Sequence, residues 1–307
     1  MDTEHFVLTV LSESLSDGKL AKLRDLLTRQ GFQIEHSRAL TPTDSEFECL
    51  ELVIAGDPES LNGLRSALLE LSHTSDMDLA LRSASHHYRH FKLAVFDMDS
   101  TLIEAEVIDE LAKEMGVGEQ VAAITAAAMR GELEFQQSFR KRVALLKGLS
   151  EQRLVTVAER ILLTNGAERL FRVFKKLGIK TAVCSGGFTF MAERLQRTLG
   201  IDYIHANELE IKRGVVTGEA PLEVVDGKRK AELVKQIAAR EGISLDQVIA
   251  VGDGANDLPM INLAGMGVAF RAKPVVRAGA RYSLSHGGLD ALLYLIGLHE
   301  DQIRTLL

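Results

Sequence analysis

Three short apolar runs constrain this chain more than any other feature. They are 92–96 (KLAVF), 180–184 (KTAVC) and 247–251 (QVIAV). Each is too short for an amphipathic helix, and each stops abruptly in a polar, loop-forming cluster. The clusters are Asp97-Met98-Asp99-Ser100-Thr101, Ser185-Gly186-Gly187-Phe188 and Gly252-Asp253-Gly254-Ala255-Asn256-Asp257. Helical spacing fills the intervals, at Ala167–Leu177, Thr189–Leu199 and 228–240. Short strands near 267–270 and Tyr282–Leu284 extend the pattern. Apolar strands alternating with helices predict an α/β fold with a Rossmann-like parallel sheet. Ligands of such sheets bind beyond the carboxyl ends of the strands, so three distant segments are expected to meet at one site.

The residue types at those strand ends suggest a chemistry. Asp97, Asp99, Asp253 and Asp257 would repel one another without a cation, and an all-oxygen donor set suits Mg²⁺. Such an ion also neutralises charge on a phosphoryl group. An aspartate can act as nucleophile and form an aspartyl-phosphate, and a carboxyl two residues on can serve as acid and base. Ser185 and the Gly186 and Gly187 amides, read as a strand-to-helix turn, can donate to phosphate oxygens. Lys230, on the helix before the third strand, can hold the remaining charge. Taken singly, Asp-x-Asp is common on solvated loops and Ser-Gly-Gly is usually only a turn. Their joint occurrence, each after an apolar strand, is what points to a site.

The first 85 residues follow a different plan. Strands at 6–11, 32–40, 46–54 and 77–83 enclose helices at 14–30 and from Asp57 on, in the order β-α-β-β-α-β. That is the ferredoxin-like arrangement, an α+β unit. The stretch 83–90 (SASHHYRH) reads as a linker, because its paired histidines have no further Cys or His at ligand spacing. From 107 to 160 the pattern is helical, with breaks expected at Gly116, Gly118, Gly131 and Gly148. Residues 208–225 read as a small hairpin around Arg213-Gly214. A length of 307 residues fits two such units.

Composition excludes other classes. Charged residues at 26% and hydrophobic ones at 46% argue against a disordered chain. A net charge of −7 and no run of five Lys or Arg argue against nucleic acid. No uninterrupted apolar run of membrane-spanning length occurs. Cys49 and Cys184 form no disulfide framework, and the N-terminus lacks a basic segment followed by an apolar one. A cytoplasmic location is the expectation.

The four motifs DMDST (97–101), SGGF (185–188), Lys230 and GDGAND (252–257) resemble those of the haloacid dehalogenase superfamily. The stretches 97–112 (DMDSTLIEAEVIDELA) and 135–146 (FQQSFRKRVALL) resemble its phosphoserine phosphatases, over roughly residue 91 to the C-terminus. The resemblance implies Mg-dependent hydrolysis of O-phospho-L-serine to L-serine and phosphate, the last step of serine biosynthesis. It implies Asp97 as nucleophile and Asp99 as acid and base. It implies metal binding by the Asp97 carboxylate, the Asp99 carbonyl and Asp253, with Asp257 in support. Ser185, Gly186, Lys230 and Asn256 would hold the phosphoryl group. Glu106 would meet the substrate ammonium and Arg142 its carboxylate, while Met129 and Phe135 would close the pocket. On its own, Arg142 in the basic run Arg140-Lys141-Arg142 reads as a solvated helix face, and Glu106 as a helix-start acid.

The domains expected are thus an ACT-like unit at 1–85 and a haloacid dehalogenase-type phosphatase at 86–307, with a helical cap at about 107–164. The first is similar to the ACT fold in element order alone. That fold binds amino acids or pairs subunits, so a homodimer is an expected assembly. Two alternatives share parts of the evidence. A related phosphatase or phosphotransferase could act on another small phosphorylated metabolite, for instance by moving the phosphoryl group to homoserine. An amino-acid-sensing interaction protein with a vestigial phosphatase unit is the alternative from another class, and the intact acidic and basic motif residues argue against it.

Overall fold

The computed structural model describes residues 4–42, 44–84 and 88–307. The histidines at 86 and 87 therefore lie outside the described residues.

The first unit contains β1 (Glu4–Ser12), α1 (Asp17–Arg29), β2 (Gln33–Ala39), β3 (Glu48–Gly56), α2 (Leu61–Ser75) and β4 (Asp78–Ser83). Its antiparallel sheet runs β2-β3-β1-β4. Alternation explains how β1 is buried on both faces. Phe6, Leu8 and Val10 pack with Leu23 and Leu27 of α1 and with Leu64 and Leu68 of α2. Leu11 points the other way, and with Leu40, Cys49 and Ala80 it joins the core of the second unit. Asp57 caps the turn that leads into α2 by accepting from the Glu59 amide at 2.9 Å.

The second unit opens with β5 (Leu93–Phe96). Four helices follow: α3 (Val107–Met115), α4 (Gly118–Met129), α5 (Phe135–Ala144) and α6 (Glu151–Arg160). Gly116, Gly131 and Gly148 interrupt them in left-handed conformation. Gly118 is no break, since it is the first residue of α4. Then come α7 (Ala167–Leu177), β6 (Lys180–Phe188), α8 (Thr189–Leu199), β7 (Tyr203–Asn207) and the hairpin β8 (Ile211–Lys212) with β9 (Val215–Val216). The chain ends with α9 (Gly227–Glu241), β10 (Val248–Gly252), α10 (Leu258–Leu263), β11 (Met266–Phe270), α11 (Pro274–Gly279), β12 (Tyr282–Leu284), α12 (Leu292–Leu295) and α13 (Glu300–Leu306).

The second sheet is parallel, in the order β12-β11-β10-β5-β6-β7. The strands β5, β6 and β10, whose residues are apolar on both faces, occupy its middle, as burial under helices on each side requires. From β5 the chain moves to β6 on one side and later to β10 on the other. That reversal leaves a crevice at the carboxyl ends of β5 and β10, where Asp97 and Asp253 follow.

The hairpin braces the helical insertion. The Gly148 amide donates to the Val216 carbonyl at 2.9 Å, and the Val216 amide donates to the Leu149 carbonyl at 2.8 Å. Helices α3–α6 are thus anchored by backbone bonds to a segment that comes after β7.

The expected turn at Ser185-Gly186-Gly187 is not a turn. Extended backbone continues through Phe188, which pairs with Asn207, and the pairing with β7 is interrupted between Cys184 and Phe188. Burial of Phe188 against Phe139 and Phe190 returns the chain to its pairing with β7 after the irregularity at the two glycines.

Candidate active site

The residue after β5 is the centre of the site. Asp97 is buried, and its amide donates to the Val251 carbonyl of β10 at 2.9 Å, which aligns the two strand ends. Asp97 Oδ1 accepts from the Met98 amide at 2.7 Å and meets Lys230 Nζ at 2.8 Å. Lys230 also reaches Asp257 Oδ1 at 2.6 Å. Both Lys230 and Asp257 are completely buried. Burial opposes the ammonium charge, but Asp257 and Asp97 outweigh it and hold Lys230 charged, above its ordinary range. One ammonium against two carboxylates leaves a negative balance. Burial first and Asp97 next push Asp257 upward, against the pull of Lys230.

Lys230 reaches this point because α9 packs tightly on the turn after β10. A Cβ on Gly227, the first residue of α9, would lie 2.5 Å from the Asn256 carbonyl oxygen. Only glycine permits that approach. The same turn holds Asp257 in place, since its Oδ2 accepts from the Gly254 amide at 2.9 Å.

Asp253 completes the acidic group. Oxygens of Asp97, Asp253 and Asp257 lie within 4.8 Å of one another. Asp257 already spends one oxygen on Lys230 and the other on Gly254, so Asp97 and Asp253 carry the open coordination. Asp253 Oδ1 accepts from the Thr101 hydroxyl at 3.1 Å. Burial, then Asp97 and Asp257, push the Asp253 carboxyl up to about 7. A proton and a cation therefore compete for it near neutrality. The hard, clustered oxygen donors fit a divalent cation such as Mg²⁺.

Asp99 stands opposite Gly187. A Cβ there would lie 2.9 Å from Asp99 Oδ2 and 3.2 Å from Ser185 Oγ. Asp99 Oδ1 is buried without a hydrogen-bond partner among the described residues. Burial, then the charges of Glu106 and Asp97, push this carboxyl well above the usual carboxylate range. Ser100 turns the chain in left-handed conformation, and its hydroxyl donates to Glu106 Oε1 at 2.8 Å. Crowding by protein raises Glu106 although its side chain reaches solvent within the cleft. Arg142, on α5, faces Asp109, Glu106 and Asp99; burial presses its guanidinium downward, and its Nε finds no acceptor.

Ser185 is buried, and its Oγ accepts from the Gly187 amide at 2.9 Å. The Gly187 amide, expected to serve a phosphate, is thus occupied within the chain, while the Ser185 hydroxyl keeps its proton for another acceptor. Phe135 of α5 leans over Gly186, 3.0 Å from where a Cβ would stand. Asn256 is half-buried in the turn before Asp257. Met129 ends α4 with its side chain 70% exposed, apart from the buried set.

Three residues of this region escape sequence reasoning. Thr101 orients Asp253. Gln136 of α5 donates to Asp226 Oδ2 at 3.1 Å, which links the helical insertion to the cap of α9. Asn207 is buried at the end of β7. Its Nδ2 donates to the Gly186 carbonyl and its Oδ1 accepts from the Val225 amide, each at 2.9 Å. It ties the serine–glycine strand end to the segment that launches α9. An Asn closing an apolar strand was the available signal.

The comparisons agree with this geometry. The haloacid dehalogenase-like hydrolase family matches residues 94–262. A phosphoserine phosphatase of Streptomyces coelicolor is 41% identical over 97% of this chain and 72% of its own. The crystal structure of a HAD-family hydrolase from Salmonella enterica serovar Typhi superposes with a TM-score of 0.84 at 32% identity, covering 95% of this chain and 99% of that one. A phosphoserine phosphatase solved as a phospho-aspartyl intermediate analogue is 44% identical, with a TM-score of 0.63 over 66% of this chain and 98% of that one. By family match and identity, the chain belongs to the haloacid dehalogenase-like hydrolases, among the phosphoserine phosphatases.

Proposed function

We propose that this protein hydrolyses O-phospho-L-serine to L-serine and phosphate, with Asp97 as nucleophile and Asp99 as acid and base. One observation carries the assignment of roles. Two carboxyls two residues apart have opposite surroundings: Asp97 is ion-paired to a buried ammonium, while Asp99 is driven toward its neutral form with one oxygen unpartnered. Environments that separate two carboxyls in this way separate a charged nucleophile from a proton donor.

An Asp97 oxygen attacks phosphorus, and the bond from phosphorus to the seryl oxygen breaks. Asp99 gives its proton to that oxygen. A water then attacks phosphorus, returns a proton to Asp99 and frees phosphate and the Asp97 carboxylate. Lys230 and the Ser185 hydroxyl stabilise the phosphoryl oxygens, with Gly186 and Asn256 lining the same pocket. Asp97, Asp253 and the Asp99 carbonyl are the groups to hold Mg²⁺, with Asp257 behind them; when bound, it supplies neutralisation of phosphoryl charge. Glu106 suits the substrate ammonium, and the unpaired Arg142 fork suits its carboxylate.

The proposal includes the two units at 1–85 and 86–307, a cap at about 107–164 that Phe135 and Met129 help to close, and a cytoplasmic, dimeric enzyme. The strand order β2-β3-β1-β4 with two helices on one face supports an ACT-like first unit. No helix among the described residues is long and apolar enough to cross a membrane.

The test is phosphate release from a substrate panel, with and without Mg²⁺. O-phospho-L-serine is expected to exceed phosphoethanolamine and phosphoglycolate by at least about tenfold in kcat/KM, because each lacks one of the two recognised charges. Equal rates, or transfer to added homoserine in place of hydrolysis, would overturn the reading. A second expectation concerns Asn207. Asn207→Ala frees the Gly186 peptide and should lower kcat roughly tenfold to a hundredfold, with a smaller change in KM. A variant with reduced stability and unchanged kcat would reduce Asn207 to a structural role.

A further inference from the structure

Helices and strands of the two units flank a solvent-open cleft of about 170 Å³, away from the acidic cluster. One wall is α2, and the other is β4 together with the segment that enters β12. β12 is the edge strand, two strands from β10 and its Asp253.

Two arginines line this cavity from opposite units, Arg65 on α2 and Arg281 before β12. Among the described residues neither makes an ion pair. Arg65 Nε is buried and meets no acceptor. Arg281 is solvent-exposed and reaches the Tyr282 hydroxyl, which itself donates to the Leu81 carbonyl at 2.9 Å. Buried Asp78, at the start of β4, does not answer this charge. Asp78 is committed to the Ser285 and His286 amides at 2.6 and 2.9 Å and to the Ser283 hydroxyl at 3.3 Å. Those bonds also fix β4 to β12, so the walls are rigid. Four leucines form the apolar part of the lining, with Leu68 and Leu79 deep in the first core, and Ser66, Ser72 and Ser283 stand beside them.

A half-buried and an exposed guanidinium, without ion pairs among the described residues, flank a partly apolar cleft and together describe a ligand. The planar fork matches a carboxylate bidentately. The four leucines favour an acid with an aliphatic tail over inorganic phosphate, which has no apolar part to bury against them. A cavity of this size accepts a molecule of about benzene's bulk. We propose that the junction of α2 and β12 binds a small aliphatic carboxylate, held between Arg65 and Arg281, at a site separate from the catalytic one. Bound across two units, it stabilises their docking by mass action.

Calorimetric titration of the full chain with butanoate, in Mg²⁺, tests this. Arg65→Gln and Arg281→Gln are each expected to weaken binding by at least about tenfold while phosphate release stays normal, which certifies folding. Arg142→Ala should leave butanoate binding intact. As a measure that needs no variant, saturating butanoate should slow modification of Arg65 by phenylglyoxal, read by peptide mass. Binding that survives both glutamine variants, binding lost in Arg142→Ala, an unprotected Arg65, or tighter Arg65-dependent binding of inorganic phosphate than of butanoate would each overturn the proposal.

Discussion

Asp97→Asn is expected to cut phosphate release from O-phospho-L-serine by at least about a thousandfold and to leave no acid-stable phosphoenzyme. The amide keeps the shape of the carboxylate and lacks its nucleophilic charge. The fold should survive. Asp97 is among the causes that push Asp99, Asp253 and Asp257 upward, so removing its charge relieves repulsion in the metal-free protein. Thermal unfolding in EDTA is therefore expected at or above the wild-type temperature. Appreciable turnover by the folded variant would end the aspartyl-phosphate mechanism. A lower unfolding temperature would mean that the 2.8 Å pair with Lys230 outweighs the repulsion.

Lys230→Met should damage both stability and activity. The side chain is wholly buried between two carboxylates, and deleting one partner of such a set leaves uncompensated charge. The cost is about 3–5 kcal/mol at pH 8 in EDTA. Its pH dependence has a definite sign. The Lys230 pKa is raised, so its stabilisation is lost only above the ordinary lysine range and is fully present between pH 5.5 and 8. In the variant Asp257 loses the pull of Lys230 and is raised further. A raised carboxyl binds more protons in the folded state than in the unfolded one, so stability recovers as pH falls. The deficit against wild type should shrink from pH 8 to pH 5.5 in urea unfolding. A deficit independent of pH would contradict the buried-charge account. Phosphate release should fall as well, because the remaining carboxylates repel the phosphoryl group.

The catalytic candidates were legible because chemistry sits where pattern changes. Asp97, Ser185 and Asp253 each follow an apolar strand, and a parallel sheet gathers such ends by topology alone. The element order of the first unit was legible for a similar reason, since period-2 and period-3.6 spacing alternate cleanly from 6 to 83. Glu106 and Arg142 were legible only through resemblance. Their surroundings, a Ser100 hydroxyl and a half-buried guanidinium facing three acids, are tertiary facts.

Misreadings arose where packing overrode local preference. Two consecutive glycines after Ser185 suggest a turn, yet the buried Phe188 and its pairing with Asn207 keep the backbone extended. Gly118 suggests a break, yet it starts a helix. The roles of Thr101, Asn207 and Gln136 are not local, because their partners lie 152, 18 to 21 and 90 positions away.

The three apolar runs thus determined the sheet, its crevice and the acids that meet there, because strand periodicity and polarity are local properties of a chain. Tertiary structure decided the rest: which carboxyl meets a buried ammonium and which is pushed toward its neutral form, which amide is already taken, and where Arg65 and Arg281 stand without an ion pair among the described residues. Those outcomes depend on burial and on neighbours distant in sequence, and both exist only once the chain has folded.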